Sequence, residues 1–158
     1  MDDERQLVIM TSRKGDPTEP TISDVVLDDL HLVFVERPRT PLPADWIEGA
    51  PHPCIPRDAE GITYDVDWTE NVHPKHPFCY EIMRVPGRTA ILQHSADVMD
   101  QLEGCQAPGL SVYPWKKDGI RPGMPHRDMV GVVSSVPALN AFLDKLQRKN
   151  YRLKIMEA

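Results

Sequence analysis

The chain has 158 residues, of which 41% are hydrophobic and 27% charged, and this composition predicts a single globular domain over residues 1–158. The formal charge of -6 argues against nucleic-acid binding, because proteins that bind phosphates present a basic surface. No apolar stretch approaches the roughly 20 residues that span a bilayer, and no signal peptide is visible. We therefore expect a protein that is made in the cytoplasm and has no membrane partner.

The first predicted elements are three strands. The apolar segment Leu7–Thr11 predicts a short strand. The segments Thr21–Leu27 and Leu30–Glu36 predict a hairpin that turns at Asp28 and Asp29.

Two proline-rich segments interrupt the predicted strands. The chain has 16 prolines, about twice the usual share. Proline fixes φ and lacks an N–H group, so residues of about 38–58 and 114–128 predict two long loops or arms. Loops of this length in a small domain are typically functional, and we expect these two to contact other protein subunits.

The middle of the chain predicts further strands. Apolar and polar residues alternate over Ile62–Trp68, which indicates a half-buried strand. The segments Phe78–Val85 and Thr89–Gln93 predict a second hairpin, because Pro86 and Gly87 suit the central positions of a type II turn.

The C-terminal part contains the one predicted helix, at about 136–149. Ser135 is its predicted N-cap, and Pro137 fits the first turn. The flanking segments Val130–Val133 and Tyr151–Ile155 predict strands. The expected fold class is a β-rich α+β domain, with a mostly antiparallel sheet or partly closed barrel, one C-terminal helix and long proline-rich loops.

A histidine and a cysteine form the first candidate site. The strand from Thr89 delivers His94 to its end, and a short turn ending at Gly104 can return Cys105 toward it. A nearby imidazolium activates a thiol by favouring the thiolate, and Gly104 can offer amide groups to an oxyanion. The alternative is that Cys105 is a small buried residue and His94 a hydrogen-bonded polar one.

The segment around His73 provides a second candidate, a metal site. His73, His76 and Cys79 have the spacing His-x2-His-x2-Cys, and zinc binds both residue types. His52 or Cys54 could add a fourth ligand. Against this, two prolines stiffen the segment, and Cys79 lies at the start of a predicted strand that would bury it. Apart from this candidate metal site, we expect the protein to bind no cofactor.

The stretch Val85–His94, followed by Leu102–Cys105 and then Pro108-Gly109, resembles the family called domain of unknown function 5675, which is common in phages, prophages and bacteria. Members typically show V-P-G-R-x-x-I-L-I-H-x-G-N and then G-C-I. The chain has Ser95-Ala96-Asp97 after the histidine and Gln106 after the cysteine. A histidine on a strand followed by Gly-Cys is also similar to L,D-transpeptidases, which act on peptidoglycan peptides with a Cys nucleophile.

The resemblance implies two functions from different classes. The phage association implies first a structural or accessory virion protein, such as a tail, baseplate or capsid-associated component. Its proline-rich loops would then contact copies of this chain or other virion proteins. The alternative is a Cys–His enzyme for acyl transfer or hydrolysis on peptidoglycan peptides, with His94 as base and Cys105 as nucleophile. A metal-binding module ranks third.

Overall fold

The structure is a computed structural model that describes residues 4–39, 53–98, 102, 104–116 and 128–158. Strands and one helix make up most of the described residues. In chain order they are β1 (Gln6–Ser12), β2 (Thr21–Leu27), β3 (Leu30–Glu36), β4 (Ile62–Glu70), β5 (Phe78–Ile82), β6 (Ile91–Gln93), β7 (Ala107–Gly109), β8 (Ser111–Trp115), β9 (Met129–Val133), α1 (Ser135–Lys145) and β10 (Tyr151–Glu157).

Eight strands form one sheet in the order β6-β5-β4-β10-β1-β2-β3-β7. Strands β1 and β10 run parallel, and the other neighbours in this order are antiparallel. The two outermost strands, β6 and β7, approach each other where Gln93 forms a parallel bridge with Gln106. The sheet is therefore a nearly closed barrel, and the fold is the predicted β-rich α+β class.

The barrel interior is the main hydrophobic core, and α1 covers one of its openings. Phe142 of the helix contacts the rings of Phe34 on β3, Tyr80 on β5 and Tyr151 on β10, with ring centroids 5.3, 6.2 and 5.9 Å away. These three strands lie on different sides of the barrel, so the phenyl ring enters it from the end. Each large apolar side chain buried in this way contributes about 1.5–3 kcal/mol.

A second apolar cluster lies on the outside of the barrel wall. Val33 and Val35 of β3 and Ala107 of β7 face outward and are covered by Met129 and Val132 of β9. Strands β8 and β9 form a separate antiparallel ribbon over this part of the wall. The outer face of β3 is thus buried as well as the inner face, which explains its continuous apolar sequence.

The hairpin and turn predictions agree with the structure. Strands β2 and β3 pair directly across the turn, and Asp28 has a φ of 55°. In the second predicted turn, the amide of Arg88 donates to the carbonyl of Val85 over 3.1 Å, and Gly87 has a φ of 69°.

Several predicted boundaries were wrong. Strand β5 ends at Ile82 because Arg84 has a left-handed φ of 56°, and β6 begins only at Ile91, after Ala90 with a φ of 54°. The predicted loop at 114–128 does not begin at residue 114. Pro114 belongs to β8, where it pairs with Val130. Proline is tolerated there because β8 is an edge strand and one side of it needs no N–H donor.

The helix is shorter than predicted and has a different cap. It ends at Lys145 because Gln147 and Arg148 adopt left-handed φ values of 56° and 53°, which turn the chain toward β10. The N-cap is Ser134, whose side chain makes no capping hydrogen bond. Ser135 instead lies in the helix, where its hydroxyl donates to the carbonyl of Pro108 over 2.6 Å.

Most of both predicted proline-rich arms lies outside the described residues, which exclude 40–52 and 117–127. The described end of the first segment is fixed to the barrel. Arg88 donates to the carbonyl of Pro53 over 2.7 Å, and Arg57 lies 2.5 Å from Glu36 in an ion pair that is almost fully buried.

Candidate functional site

The candidate site lies where the barrel closes, at the junction of β6 with residues 105–107, which we call the seam. Two backbone hydrogen bonds hold it. The amide of His94 donates to the carbonyl of Gln106, and the amide of Gln106 donates to the carbonyl of Leu92, each over 3.0 Å. The seam therefore brings the two sequence motifs, His94 and Gly104-Cys105, next to each other.

A chain of polar side chains fills the inner side of the seam. The hydroxyl of Tyr151 donates to Oε1 of Gln93 over 2.6 Å, and Nε2 of Gln93 donates to Oε1 of Gln106 over 2.9 Å. Nε2 of Gln106 then lies 3.3 Å from the sulfur of Met10. Sequence reasoning missed this network, because glutamine gives no signal for burial.

The alternation of side chains places His94 and Cys105 together on the outer side of the seam. Gln93 and Gln106 point inward, so Leu92, His94 and Cys105 point outward. With strands about 4.8 Å apart and a rise of about 3.3 Å per residue, the two-residue offset sets the Cα atoms of His94 and Cys105 about 8 Å apart. The predicted pair is thus brought to one face.

Cys105 is buried and engaged with the backbone. Its residue is 8% exposed and belongs to the second apolar cluster together with Leu92, Val98 and Leu102. The amide of Leu92 donates to the sulfur over 3.3 Å, and the sulfur lies 3.9 Å from the carbonyl oxygen of Ala90. The thiol therefore serves as a hydrogen-bond partner for the backbone of β6.

The imidazole of His94 has other neighbours. Its Nδ1 lies 3.0 Å from the carbonyl oxygen of Ser95, and its ring stacks on that of His76 with centroids 4.1 Å apart and planes at 12°. Burial lowers the pKa of His94 below the ordinary value of 6.5. The ring is therefore neutral at pH 7 and does not supply the imidazolium that would favour a thiolate.

Gly104 and Arg37 shape the approach to Cys105. Gly104 has a φ of 101°, a conformation that residues with a Cβ rarely adopt. Arg37, which is fully buried, donates from Nε to the carbonyl of Leu102. The hydroxyl of Thr21 donates to the carbonyl of Arg37 over 2.9 Å. Sequence reasoning missed Arg37, because one arginine before a proline carries no recognisable pattern.

The three predicted metal ligands have different partners. Nε2 of His73 lies 2.9 Å from Oε1 of Glu81, His76 stacks on His94, and Cys79 is buried with its sulfur 3.5 Å from the hydroxyl of Thr69. Burial raises the pKa of the Cys79 thiol. Within the part of the chain that the structure describes, no group of three or more His, Cys, Asp or Glu side chains is placed to hold a metal ion.

The other two residues of the metal prediction lie elsewhere. His52 is outside the described residues. Cys54 is buried near the ion pair of Glu36 and Arg57, and burial raises the pKa of its thiol. In that cluster Arg57 also donates to the hydroxyls of Ser12 and Ser23 over 2.6 and 3.2 Å. Its polar groups are thus satisfied by the chain itself, and they fix residues 54–57 across the barrel.

Comparison with known proteins gives no relative: no protein-family model, curated protein or solved structure matches the chain. Across the described ranges, no helix is both long enough and apolar enough to cross a membrane.

Proposed function

We propose that this chain is a structural or accessory protein of a phage particle, a tail, baseplate or capsid-associated component that acts by contacting other protein subunits. The position of Cys105 is the observation that supports a non-catalytic role. Its sulfur is packed in the second apolar cluster and accepts the amide of Leu92. A nucleophile has to reach a substrate, whereas this thiol completes the hydrogen bonding of a strand.

The state of His94 supports the same proposal. A general base for a thiol needs a ring nitrogen within hydrogen-bond distance of the sulfur. The recorded partners of the His94 ring are the carbonyl of Ser95 and the ring of His76. Burial also keeps the imidazole neutral by lowering its pKa. The histidine thus fastens the end of β6 to the β4–β5 turn.

The phage context rests on the resemblance to the family of unknown function. Its motif residues occupy the seam, and two of the isoleucines in that pattern are replaced by Gln93 and Gln106. These two replacements meet in space and hydrogen-bond to each other over 2.9 Å. Because the two replacements lie opposite each other at the seam, they preserve the closure of the barrel and add no reactive group to its outer face.

The second candidate function is the Cys–His enzyme acting on peptidoglycan peptides. One observation favours it: the seam sets His94 and Cys105 on the same outer face, with Cα atoms about 8 Å apart. The amide that Leu92 directs at the sulfur would also stabilise a thiolate. In this candidate the side chains of Val98 and Leu102 have to move away from the sulfur to make it accessible.

Two experiments test the proposal. The first is mass spectrometry of purified particles from the host that encodes the chain, where we expect the protein at a fixed copy ratio to a major virion protein. Its absence from intact particles would end the virion proposal. Tyr113→Ala, at an exposed position of the β8–β9 ribbon, can show whether this surface is needed for incorporation, with Gly15→Ala as the control.

The second experiment measures thiol reactivity. The intact protein is treated with iodoacetamide near neutral pH, and labelling of Cys54, Cys79 and Cys105 is followed by peptide mass spectrometry. We expect Cys105 to react no faster than the two other buried thiols, and all three to react after unfolding in urea. Selective labelling of Cys105, together with release of peptidoglycan fragments that Cys105→Ala abolishes, would instead establish the enzyme.

A further inference from the structure

The turn between β4 and β5 is tied to the end of β6 by histidines. The turn is closed by the amide of Asn71, which donates to the carbonyl of Pro77 over 2.6 Å, and by the amide of His76, which donates to that of His73 over 3.1 Å. From this turn the ring of His76 lies flat on the ring of His94, with centroids 4.1 Å apart. The two stacked rings, His76 and His94, are called the histidine clasp below.

The two rings of the clasp differ in their access to water. His76 is half-buried, whereas His94 is 8% exposed and covered by its partner. We therefore expect His76 to be protonated before His94 as the pH falls. A second proton has to enter the buried ring with a like charge 4.1 Å away, which both desolvation and repulsion oppose.

Among the residues that the structure describes, the charges around the clasp do not relieve this repulsion. Burial lowers the pKa of His76, and the positive charges of His73 and Lys75 on the same turn lower it further. Glu81 on β5 is the nearby carboxylate, and it is bound by His73 at 2.9 Å. Among the described residues of the two neighbouring segments, those beside His94 that can titrate are the thiols Cys79 and Cys105, which are buried.

We propose that the histidine clasp is an acid-sensitive fastening, which holds the β4–β5 turn over the end of the seam at neutral pH and releases it when both rings are protonated. Release uncovers His94 and the outer face beside it. The exposed side chains of Val72 and Phe78, which flank this turn, then move with it. The proposal concerns a conformational change and does not depend on the virion assignment.

The first test is a titration of the full chain by NMR, following the ring protons of its six histidines between pH 8 and pH 5. We expect His94 to titrate below 6.5, and His76→Gln to raise its midpoint by about half a pH unit, because the variant removes both the cover and the neighbouring charge. His31→Gln, on the exposed part of β3, is the matched control and should leave the midpoint of His94 in place. An unchanged midpoint in His76→Gln would overturn the proposal.

The second test uses the unmodified protein, so it holds even if the variant folds poorly. Hydrogen exchange of the amides of Asn71 and His76, which close the turn, is measured at pH 7.5 and pH 5.5 and corrected for the intrinsic rates. We expect the protection of these two amides to fall about tenfold on acidification, and by more than the protection of the amides of β1 and β10, which follows the global stability. Equal protection at the two pH values, or an equal loss in β1 and β10, would contradict a local release.

Discussion

The amide nitrogen of Leu92 lies 3.3 Å from the sulfur of Cys105, so the thiol takes the place of a carbonyl acceptor where the barrel closes. This relationship gives the most suggestive cysteine in the sequence a structural role. A buried amide that loses its acceptor is costly, and a buried thiol that is removed leaves a cavity. Both effects can be measured.

Replacing Cys105 by alanine should destabilise the fold by about 1–3 kcal/mol, because the amide of Leu92 loses its acceptor and the second apolar cluster loses volume. Urea unfolding followed by circular dichroism measures the change. Val136→Ala, at an exposed position of α1, is the control and should leave the midpoint unchanged. A Cys105→Ala midpoint equal to that of the control would remove the structural role from the thiol.

The two glutamines of the seam should be energetically coupled. Gln106→Ile leaves Nε2 of Gln93 without its acceptor, so we expect a loss of about 1–3 kcal/mol. Adding Gln93→Ile and Tyr151→Phe removes the remaining buried polar groups of the network and should recover part of that loss. A thermodynamic cycle from urea unfolding measures the coupling, expected at about 0.5–3 kcal/mol. Strictly additive losses would show that the side chains act independently.

The ion pair of Glu36 and Arg57 should be among the most sensitive positions of the barrel. Its two side chains are 1% and 2% exposed, so Arg57→Met leaves a buried carboxylate without its partner and should cost about 3–5 kcal/mol. The matched control is Asp144→Asn on α1, which removes the exposed ion pair with Arg148 and should leave the unfolding midpoint in place. Equal effects in the two variants would show that burial does not set the strength of the Glu36 pair.

Stability should fall on acidification below pH 6.5. Burial lowers the pKa of His94 in the folded chain, so the unfolded chain binds this proton at a higher pH. Unfolding therefore gains protons as pH falls through 6.5, and the free energy of unfolding decreases until the folded chain is protonated too. Urea unfolding between pH 7.5 and 5 should show a smaller decrease in His94→Gln. If His31→Gln reduces the pH dependence of the free energy of unfolding equally, burial of His94 is not the cause of that dependence.

Gly131 should not tolerate a side chain. A Cβ at this position would overlap the carbonyl oxygen of Asp97 and contact Val98, so Gly131→Ala pushes the β8–β9 ribbon away from the barrel. We expect a loss of about 1–3 kcal/mol and faster hydrogen exchange in β9. Gly15→Ala, which meets no atom within 4 Å, is the control. Unchanged exchange in β9 would show that the ribbon adapts without moving.

The strands with alternating sequences and the hairpin at Asp28 could be predicted because their signals are local. Residues 104–107 could not be placed in the sheet, since a parallel seam joins segments through tertiary contacts and leaves no periodic pattern. The burial of Gln93 and Gln106 runs against their polarity and follows only from their partners. The sequence left open whether His94 meets Cys105 or each is packed separately. The tertiary structure places the sulfur of Cys105 among valine and leucine side chains, which agrees with the second alternative.

The place of β10 in the sheet has a consequence for how the chain is assembled. This strand lies between β4 and β1, so it joins the group β4-β5-β6 to the group β1-β2-β3-β7. Both groups are synthesised before β10. Until β10 has left the ribosome, neither group has a neighbour on the edge that pairs with this strand. The pairing of β1 on the side away from β2 therefore waits for a strand more than 100 residues later, as the pair of Gln6 with Tyr151 shows. We expect slow folding and a need for protection of the open edge of β1 during translation.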